Sequence, residues 1–385
     1  LTFKEIKVET NVKEVCIFGF IYYLVVETDI HKIIERLEKI HGTVNFKISI
    51  PLSKRKIYFF QDRASVAKVL KKKSRLPFVN HNFNVSHGHF RSINAVNTAD
   101  TLWKDLHFEL LGIFNQTKIS PIMEKHKQIL IGSENFKPDE VLEEYFLRVW
   151  SEYSFGPIDE RQYAQVRKQL IENVTRNFHG NPLNRLPWVG WMTSKINFWR
   201  SRARIKKVDD GLSEFLRFAI ERKQGAFYLL YERLQSKYKD AFQITLDNAF
   251  LGVLAYDFIY IVLLDFVVNH AKNLSVDPKS QLQKSIHQGF LYPFRFRTMD
   301  ESFDEVNKND FCVINLQKAG LYFSYGARFC SGANLFKEIS NKLIELLSPY
   351  QLSLVHPEND VQYAPNQDIP IMTSRHEIRL CPFGV

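Results

Sequence analysis

Cysteine is scarce and dispersed in this chain of 385 residues. Cys16, Cys312, Cys330 and Cys381 form no CxxC pair and no dense framework, which sets aside the disulfide-stapled secreted class and favours a reducing compartment. Zinc spacings such as HExxH are missing as well, so the loose cluster of His81, His87 and His89 has no ligand pattern behind it. Neither a GxxxxGK[ST] or GxGxxG loop nor a GxSxG elbow occurs, and nucleotide chemistry and serine hydrolysis are left without support. No Pro/Gly/Ser-rich linker, low-complexity run or repeat divides the sequence, so 1–385 is read as one continuous domain. The apolar run from Val15 to Val26 is shorter than the roughly 20 residues that cross a bilayer and reads as strand or core. A membrane anchor is expected only if a segment preceding Leu1 has been removed.

What is present points to a globular protein with a sizeable core, since 45% of the residues are hydrophobic. A formal charge of +10 suits nucleic acid, an anionic membrane surface or an acidic protein partner equally well. The basic residues are spread along the chain and no nucleic-acid motif accompanies them, so a solvated basic surface is expected and no nucleic-acid partner.

Periodicity predicts a mainly α fold. HKIIERLEKIH (His31 to His41) places Ile33, Ile34, Leu37 and Ile40 on one helical face, with Gly42 where a left-handed cap belongs. Thr43 to Ile50 alternates as a strand, Lys56 to Phe60 returns as a second, and Ser65 to Leu70 resumes a helix. This β-rich lobe and a pocket loop occupy 1–97, and 98–385 reads as the helical part. Helices are expected over Leu102 to Phe114, Asp139 to Phe155, Asp159 to Phe178, Ile196 to Arg222, Ala226 to Tyr238 and Thr245 to Ala271. The last is apolar nearly all round between Ala249 and Val268. Asp257 and Asp265 within it favour a buried central helix over a membrane span. A strand at Asp310 to Leu316, a helix at Ala333 to Leu347 and a hairpin beyond Tyr350 complete the expected order.

The chemistry concentrates before that last helix, in a loop that carries Phe323, Gly326, Arg328, Cys330 and Gly332. A cysteine presented by a glycine-containing turn at a helix N-terminus is favoured as thiolate, because the helix dipole and free N–H groups stabilise its charge. Such a sulfur suits iron. Gly326 and Gly332 permit close approach to a flat macrocycle, and Arg328 offers a permanent cation to a carboxylate.

These residues resemble the cysteine loop of the cytochrome P-450 family, Phe-x-x-Gly-x-Arg-x-Cys-x-Gly, at all five fixed positions. The resemblance implies haem b with Cys330 as its iron ligand and Arg328 on a propionate. Trp103 and His107 resemble the family's helix C pair, with His107 in place of an arginine; ordinary packing and helix-face roles remain equal alternatives. Leu254-Ala255-Tyr256-Asp257-Phe258 resembles the centre of helix I, which implies catalytic positions at Asp257 and Phe258. The family's threonine is replaced by Phe258, so Asp257 and water are left as the evident proton relay, and a merely hydrogen-bonded buried acid is the alternative. The stretch from Ser285 to Asp300 resembles helix K and its sequel, but the expected Glu-x-x-Arg falls on His287 and Phe290. Arg297 is a second propionate candidate and Arg295 a poorer one.

Asp257 and Cys330 are only 73 residues apart, which predicts a shortened proximal region. Lys308, Lys318 and Lys337 near the loop could meet an acidic redox partner or form an ordinary solvated face, and Phe83, Phe90 and Ile93 fall where the family lines its pocket. The leading expectation is a monooxygenase acting on an apolar small molecule, supplied with electrons by a ferredoxin or flavin reductase, in the cytoplasm or on the cytosolic face of a membrane. Loss of the threonine favours a peroxide-using enzyme or one that rearranges an oxidised substrate. The missing Glu-x-x-Arg favours a degenerate haem-binding interaction protein.

Overall fold

The structure is a computed structural model that describes residues 12–15, 30–42, 45–49, 54–75, 100–179, 206–288, 294–326, 329–355, 362–363, 372–373 and 378–382. It divides into a β-rich unit, Leu1–His81 with Asn181–Pro187 and Tyr292–Cys330, and a helical unit, Asn82–Gly180 with Trp188–Leu291 and Ser331–Val385. The histidine cluster at 81, 87 and 89, the pocket residues Phe83, Phe90 and Ile93, Phe290 and most of the 15–26 run lie outside the described residues.

In the β-rich unit, helix α1 (Ile30–His41) ends where expected. Gly42 takes φ +64° and its N–H donates to Glu38 O at 2.8 Å, the left-handed cap that a Cβ would strain. Strands β1 (Lys13–Val15), β2 (Phe46–Ser49), β3 (Lys56–Phe60), β4 (Ser74–Arg75), β6 (Phe294–Met299) and β7 (Phe311–Asn315) form one sheet in the order β1-β2-β3-β7-β6-β4. β2 and β3 make the expected antiparallel pair, with Phe46 opposite Phe59 and their rings stacked at 4.5 Å. β7 then lies parallel to β3, and β6 antiparallel to β7. The N-terminal lobe drawn from sequence therefore gains two strands from after residue 292, because β3 has a second edge whose N–H and C=O groups need partners. Helix α2 (Arg63–Lys71) starts at Asp62, whose side chain accepts from Ser65 N at 2.9 Å and from Asn45 Nδ2 at 2.6 Å, an N-cap that also fastens the helix to the strand entry.

The helical unit contains α3 (Asp100–Gln116), the short α4 (Ser120–Lys125) and α5 (Lys127–Ile131), α6 (Pro138–Phe155), α7 (Glu160–His179), α8 (206–222), α9 (Ala226–Leu234), α10 (Ala241–Lys272), α11 (Pro278–Gln288) and α12 (Ala333–Leu347). The part of the expected 196–222 helix before residue 206 lies outside the described residues. α10 is the spine. It packs on α6, α9, α11 and the strand β8 (Tyr350–Leu354), and 76% of its apolar window is buried, as the two aspartates predicted. Tyr256 OH and Tyr260 OH donate to the backbone oxygens of Glu143 and Asp139 at 3.2 and 3.0 Å, which satisfies two phenols inside the core. Periodicity missed both α4 and α5, and the start of α4 is held by Glu338 of α12. Its Oε1 accepts from Ile119 N, Ser120 N and Ser120 Oγ at 3.1, 3.1 and 2.8 Å. The C-terminal tail is more than a hairpin: β11 (Ile378–Pro382) pairs antiparallel with β8 and with β5 (Asn135–Phe136), while β9 (Gln362–Tyr363) and β10 (Met372–Thr373) pair with each other.

Candidate functional site

The cysteine loop is built by local hydrogen bonds of the β-rich unit. After β7, Leu321 N donates to Leu316 O at 2.9 Å and Ser324 N to Leu321 O at 2.8 Å. Phe329 N then donates to Gly326 O at 3.1 Å, and Cys330 N reaches back to Phe323 O at 2.8 Å. Phe323 and Cys330 thus close the turn between them. Two residues inside it are left-handed, Ser324 at φ +67° and Gly326 at φ +66°. A Cβ on Gly326 would stand 3.4 Å from Leu70 O, so this glycine answers both a backbone requirement and a close approach. Lys71 Nζ lies over the Tyr325 ring at 5.5 Å, tying the turn to the end of α2. Cys330 is exposed, and Tyr325 and Phe329 in the same turn expose 38% and 40% of their surface. Arg328 lies outside the described residues.

Arg297 sits in β6, buried at 6% exposure and in register with Cys312 of β7. Arg295, two residues earlier in the same strand, is in register with Ile314. Lys318 is engaged by Glu38 in an ion pair, whereas Lys308 and Lys337 are exposed.

In the helical unit, Gly332 is the N-cap of α12 and no side chain caps that end. Trp103 and His107 stand one turn apart on α3, their rings stacked at 5.4 Å and 20°. α3 is anchored to the region of α9 through Glu109, which pairs with Arg233 at 3.1 Å and Lys237 at 2.7 Å, and through Asp105, which accepts from Tyr238 OH. Burial lowers the His107 pKa, so at neutral pH the imidazole is uncharged and offers a single N–H. His287, near the end of α11, is exposed.

The centre of α10 shows two distinct faces. Between Ile244 and Val268, the described residues that are not buried are Leu251, Gly252, Ala255 and Phe258. Gly252 is closely faced by the Phe227 ring, which a Cβ there would meet at 2.7 Å. Leu251, Ala255 and Phe258 are left as an apolar stripe at i, i+4 and i+7. Phe258 also packs against Phe336 of α12, with centroids 6.0 Å apart. Asp257 is turned about a third of a turn away from this stripe.

Asp257 is 8% exposed. Its Oδ1 accepts from Arg167 Nε at 2.9 Å and also from Nη2, while Arg167 Nη1 donates to Glu143 at 2.8 Å. The guanidinium lies 4.5 Å over the Tyr256 ring. Burial pushes the Asp257 carboxyl up to about 6, and Arg167 opposes the rise. The two carboxylates in turn hold Arg167 more firmly protonated. At neutral pH both partners are therefore charged, and Asp257 stands only a small step from taking a proton. Arg167 and Glu143 were invisible as site residues in the sequence. Ninety residues separate Arg167 from Asp257, and an arginine on the polar face of an amphipathic helix gives no sign of its partner.

No protein-family model matches the chain, and no curated protein sequence is significantly similar to it. Solved structures match in fold. The heme domain of a cytochrome P450DA mutant aligns over 94% of this chain and 95% of its own, with TM-score 0.67 and 12% identity. Cytochrome P450EX alpha (CYP152N1) with myristic acid aligns over 96% and 99%, with TM-score 0.66 and 10% identity. Retinoic acid-bound cyanobacterial CYP120A1 aligns over 90% and 93%, with TM-score 0.62 and 12% identity. The chain has the cytochrome P450 fold, mainly helical with a small β-rich lobe.

Proposed function

We propose that the protein is a haem-thiolate oxidoreductase acting on an apolar organic substrate, with haem b ligated by Cys330. The observation that carries this reading is the closed turn from Phe323 to Cys330, which presents an exposed cysteine together with the exposed aromatic residues Tyr325 and Phe329. Those features fit a flat, apolar macrocycle that needs one thiolate. The partly exposed stripe of Leu251, Ala255 and Phe258 in an otherwise buried helix fits an apolar group as well, since it leaves hydrophobic surface to be covered. When bound, the haem supplies oxidising power at its iron, and the thiolate pushes electron density onto that metal.

The chain's own residues then have separable tasks. Cys330 holds the iron, and Phe323, Gly326 and Gly332 shape the turn that carries it. Arg328 is the first candidate for a propionate, with Trp103, His107 and Arg297 as further ones. His107, being neutral, would contribute a hydrogen bond without a charge. The stripe on α10 excludes water and favours an apolar substrate. Myristic acid and retinoic acid, named with two of the matched structures, are apolar chains of the kind such a surface accommodates.

Monooxygenation with electrons from a ferredoxin or flavin reductase is the first reading. A second, the use of peroxide or of an already oxidised substrate, is favoured by one observation: Asp257 is fastened to Arg167, and Phe258 offers no hydroxyl in its stead. A reduced carbon-monoxide difference spectrum tests the ligation. It should show the thiolate-type band in the parent protein and lose it in Cys330→Ala; a colourless protein that refuses added haem overturns the proposal. Product formed with a reductase system, against product formed with peroxide alone, separates the two readings.

A further inference from the structure

We propose that the outward sides of α3 and α12 form one docking surface for an acidic protein, with Phe108 flanked by Lys104 on one side and by Lys118 and Lys337 on the other. Both helices belong to the helical unit. Lys104, Phe108, Leu111 and Asn115 recur at helical spacing along α3 and so share one stripe. Leu106, Leu110 and Ile113 occupy the opposite side and are buried, which turns the stripe outward. On α12, Asn334 and Lys337 stand one turn apart and are exposed. Asn334 Nδ2 donates to Asn115 Oδ1 at 3.0 Å, and this bond joins the two helix surfaces. Lys118 follows in the linker to α4, next to Ile119, whose N–H is held by Glu338 of α12.

Charge is sorted by side on these helices. Asp105 and Glu109 of α3 are turned to the region of α9, where they engage Tyr238, Arg233 and Lys237. On α12, Glu338 is turned to the start of α4 and Glu345 pairs with Lys342. Among the described residues, Lys104, Lys118 and Lys337 have no carboxylate partner, whereas Lys125, Lys237 and Lys342 each do. Three cations are thus left to face water together, a field that draws in and orients an anionic surface. Phe108 is 69% exposed, more than any other large apolar side chain among the described residues. An open aromatic ring edged by charges is the make-up of a protein interface, in which the ring anchors and the charges steer. A bilayer would call for a wider apolar face with several large side chains dipping together, and one ring does not supply it.

The matching face of the partner carries aspartates and glutamates around an apolar spot. Under the function proposed above, that partner is the ferredoxin; this identification rests on the haem-thiolate reading, whereas the charge pattern does not. Of the lysines expected from sequence to meet such a partner, Lys318 is engaged by Glu38, and both it and Lys308 belong to the β-rich unit. Lys104 and Lys118 take their place beside Lys337.

The test measures association of the full chain with an acidic [2Fe–2S] ferredoxin by surface plasmon resonance, at low salt and at about 0.3 M, where exposed charges are largely screened. Binding at low salt that fades at high salt is expected. The triple variant Lys104→Glu, Lys118→Glu, Lys337→Glu should weaken it by at least about tenfold and lose most of the salt dependence. Phe108→Ser should weaken it by about tenfold through faster dissociation and keep the salt dependence. All four side chains are exposed, so the unfolding midpoints should stay with the parent's. A triple variant of equal charge, Lys168→Glu, Lys272→Glu, Lys279→Glu, alters exposed lysines of α7, α10 and α11 and should bind as the parent does. Absence of binding overturns the proposal, and so does an equal loss in the two triple variants, which would assign the attraction to net charge alone. Phe108-dependent binding to anionic vesicles or duplex DNA in preference to the ferredoxin overturns it too. Association needs no haem: binding without a thiolate-type carbon-monoxide band sinks the haem-thiolate reading and leaves the docking surface in place, while the band without binding does the reverse.

Discussion

Replacing Arg167 by methionine should destabilise the helical unit in a way that depends on pH. The substitution keeps much of the side-chain volume but removes the donors that reach Asp257 and Glu143. Glu143 keeps water, its side chain being 49% exposed, whereas that of Asp257 is 11% exposed and does not. Breaking a buried pair from one side costs about 3–5 kcal/mol. The stranded carboxyl can limit that loss by taking a proton. Holding an aspartate neutral at pH 7 when its unfolded pKa is 3.8 costs about 4 kcal/mol by linkage, of which the intact pair, titrating at about 6, already bears about 3, so the pH-dependent part of the variant's loss is about 1.4 kcal/mol at pH 7 and almost nothing at pH 4. Urea unfolding of Arg167→Met should therefore show a loss of about 2–3 kcal/mol at pH 7 that shrinks to about 1 kcal/mol at pH 4, the remainder reflecting the lost stacking on Tyr256. The double variant Arg167→Met with Asp257→Leu should recover most of the deficit at pH 7. A single variant that costs less than about 1 kcal/mol at pH 7, or a double variant no more stable than the single, would refute the claim that a buried ion pair governs this face of α10.

The intact pair makes its own pH prediction. Because Asp257 titrates at about 6 in the fold against 3.8 when unfolded, the native state binds more protons between those values. This group therefore adds up to about 3 kcal/mol of stability as pH falls from 6 to 4, and Asp257→Asn should remove that slope from the stability profile. Cys330→Ala should abolish the thiolate-type spectrum yet leave the unfolding midpoint of the haem-free protein within about 0.5 kcal/mol, since the side chain is exposed. Gly326→Ala, at φ +66° with Leu70 O 3.4 Å from the new Cβ, should cost about 1–2 kcal/mol and reduce haem uptake in titrations. Phe258→Thr should raise the ratio of reductase-driven to peroxide-driven product; an unchanged ratio would show that the position takes no part in proton delivery.

How much of this was legible beforehand follows from where the determining contacts lie. The cysteine loop could be read because its hydrogen bonds, such as Cys330 N to Phe323 O, span a few residues and its glycine requirement is local. α6, α10 and α12 were legible because burial of one or all faces writes a helical period into the chain. α4 escaped because it is one short turn begun by Pro121 and stabilised by Glu338, a carboxylate 218 residues from Ser120. The partners of β3 and β11 escaped for the same reason: pairing between distant strands leaves alternation in each but no mark of which meets which. Asp257 was recognised by its place in a pattern. The direction it faces was set by Arg167, on another helix, and no property of α10 alone specifies it.

The parallel seam between β3 and β7 has a consequence for biogenesis. Lys56 N donates to Asp310 Oδ1 across 254 residues of chain, so β3 leaves the ribosome long before its neighbour exists. At about 5–20 residues per second, that wait is roughly 13–50 s. Throughout it, a strand rich in Tyr and Phe presents one bare edge, a template for self-association and a natural client for a chaperone. Because the cysteine turn grows directly from the end of β7, the proposed haem would be captured only after translation has passed that seam. A stalled or truncated product ending before residue 311 would be expected to aggregate colourless, and a cell making this protein in quantity should benefit more from holdase capacity than from extra porphyrin.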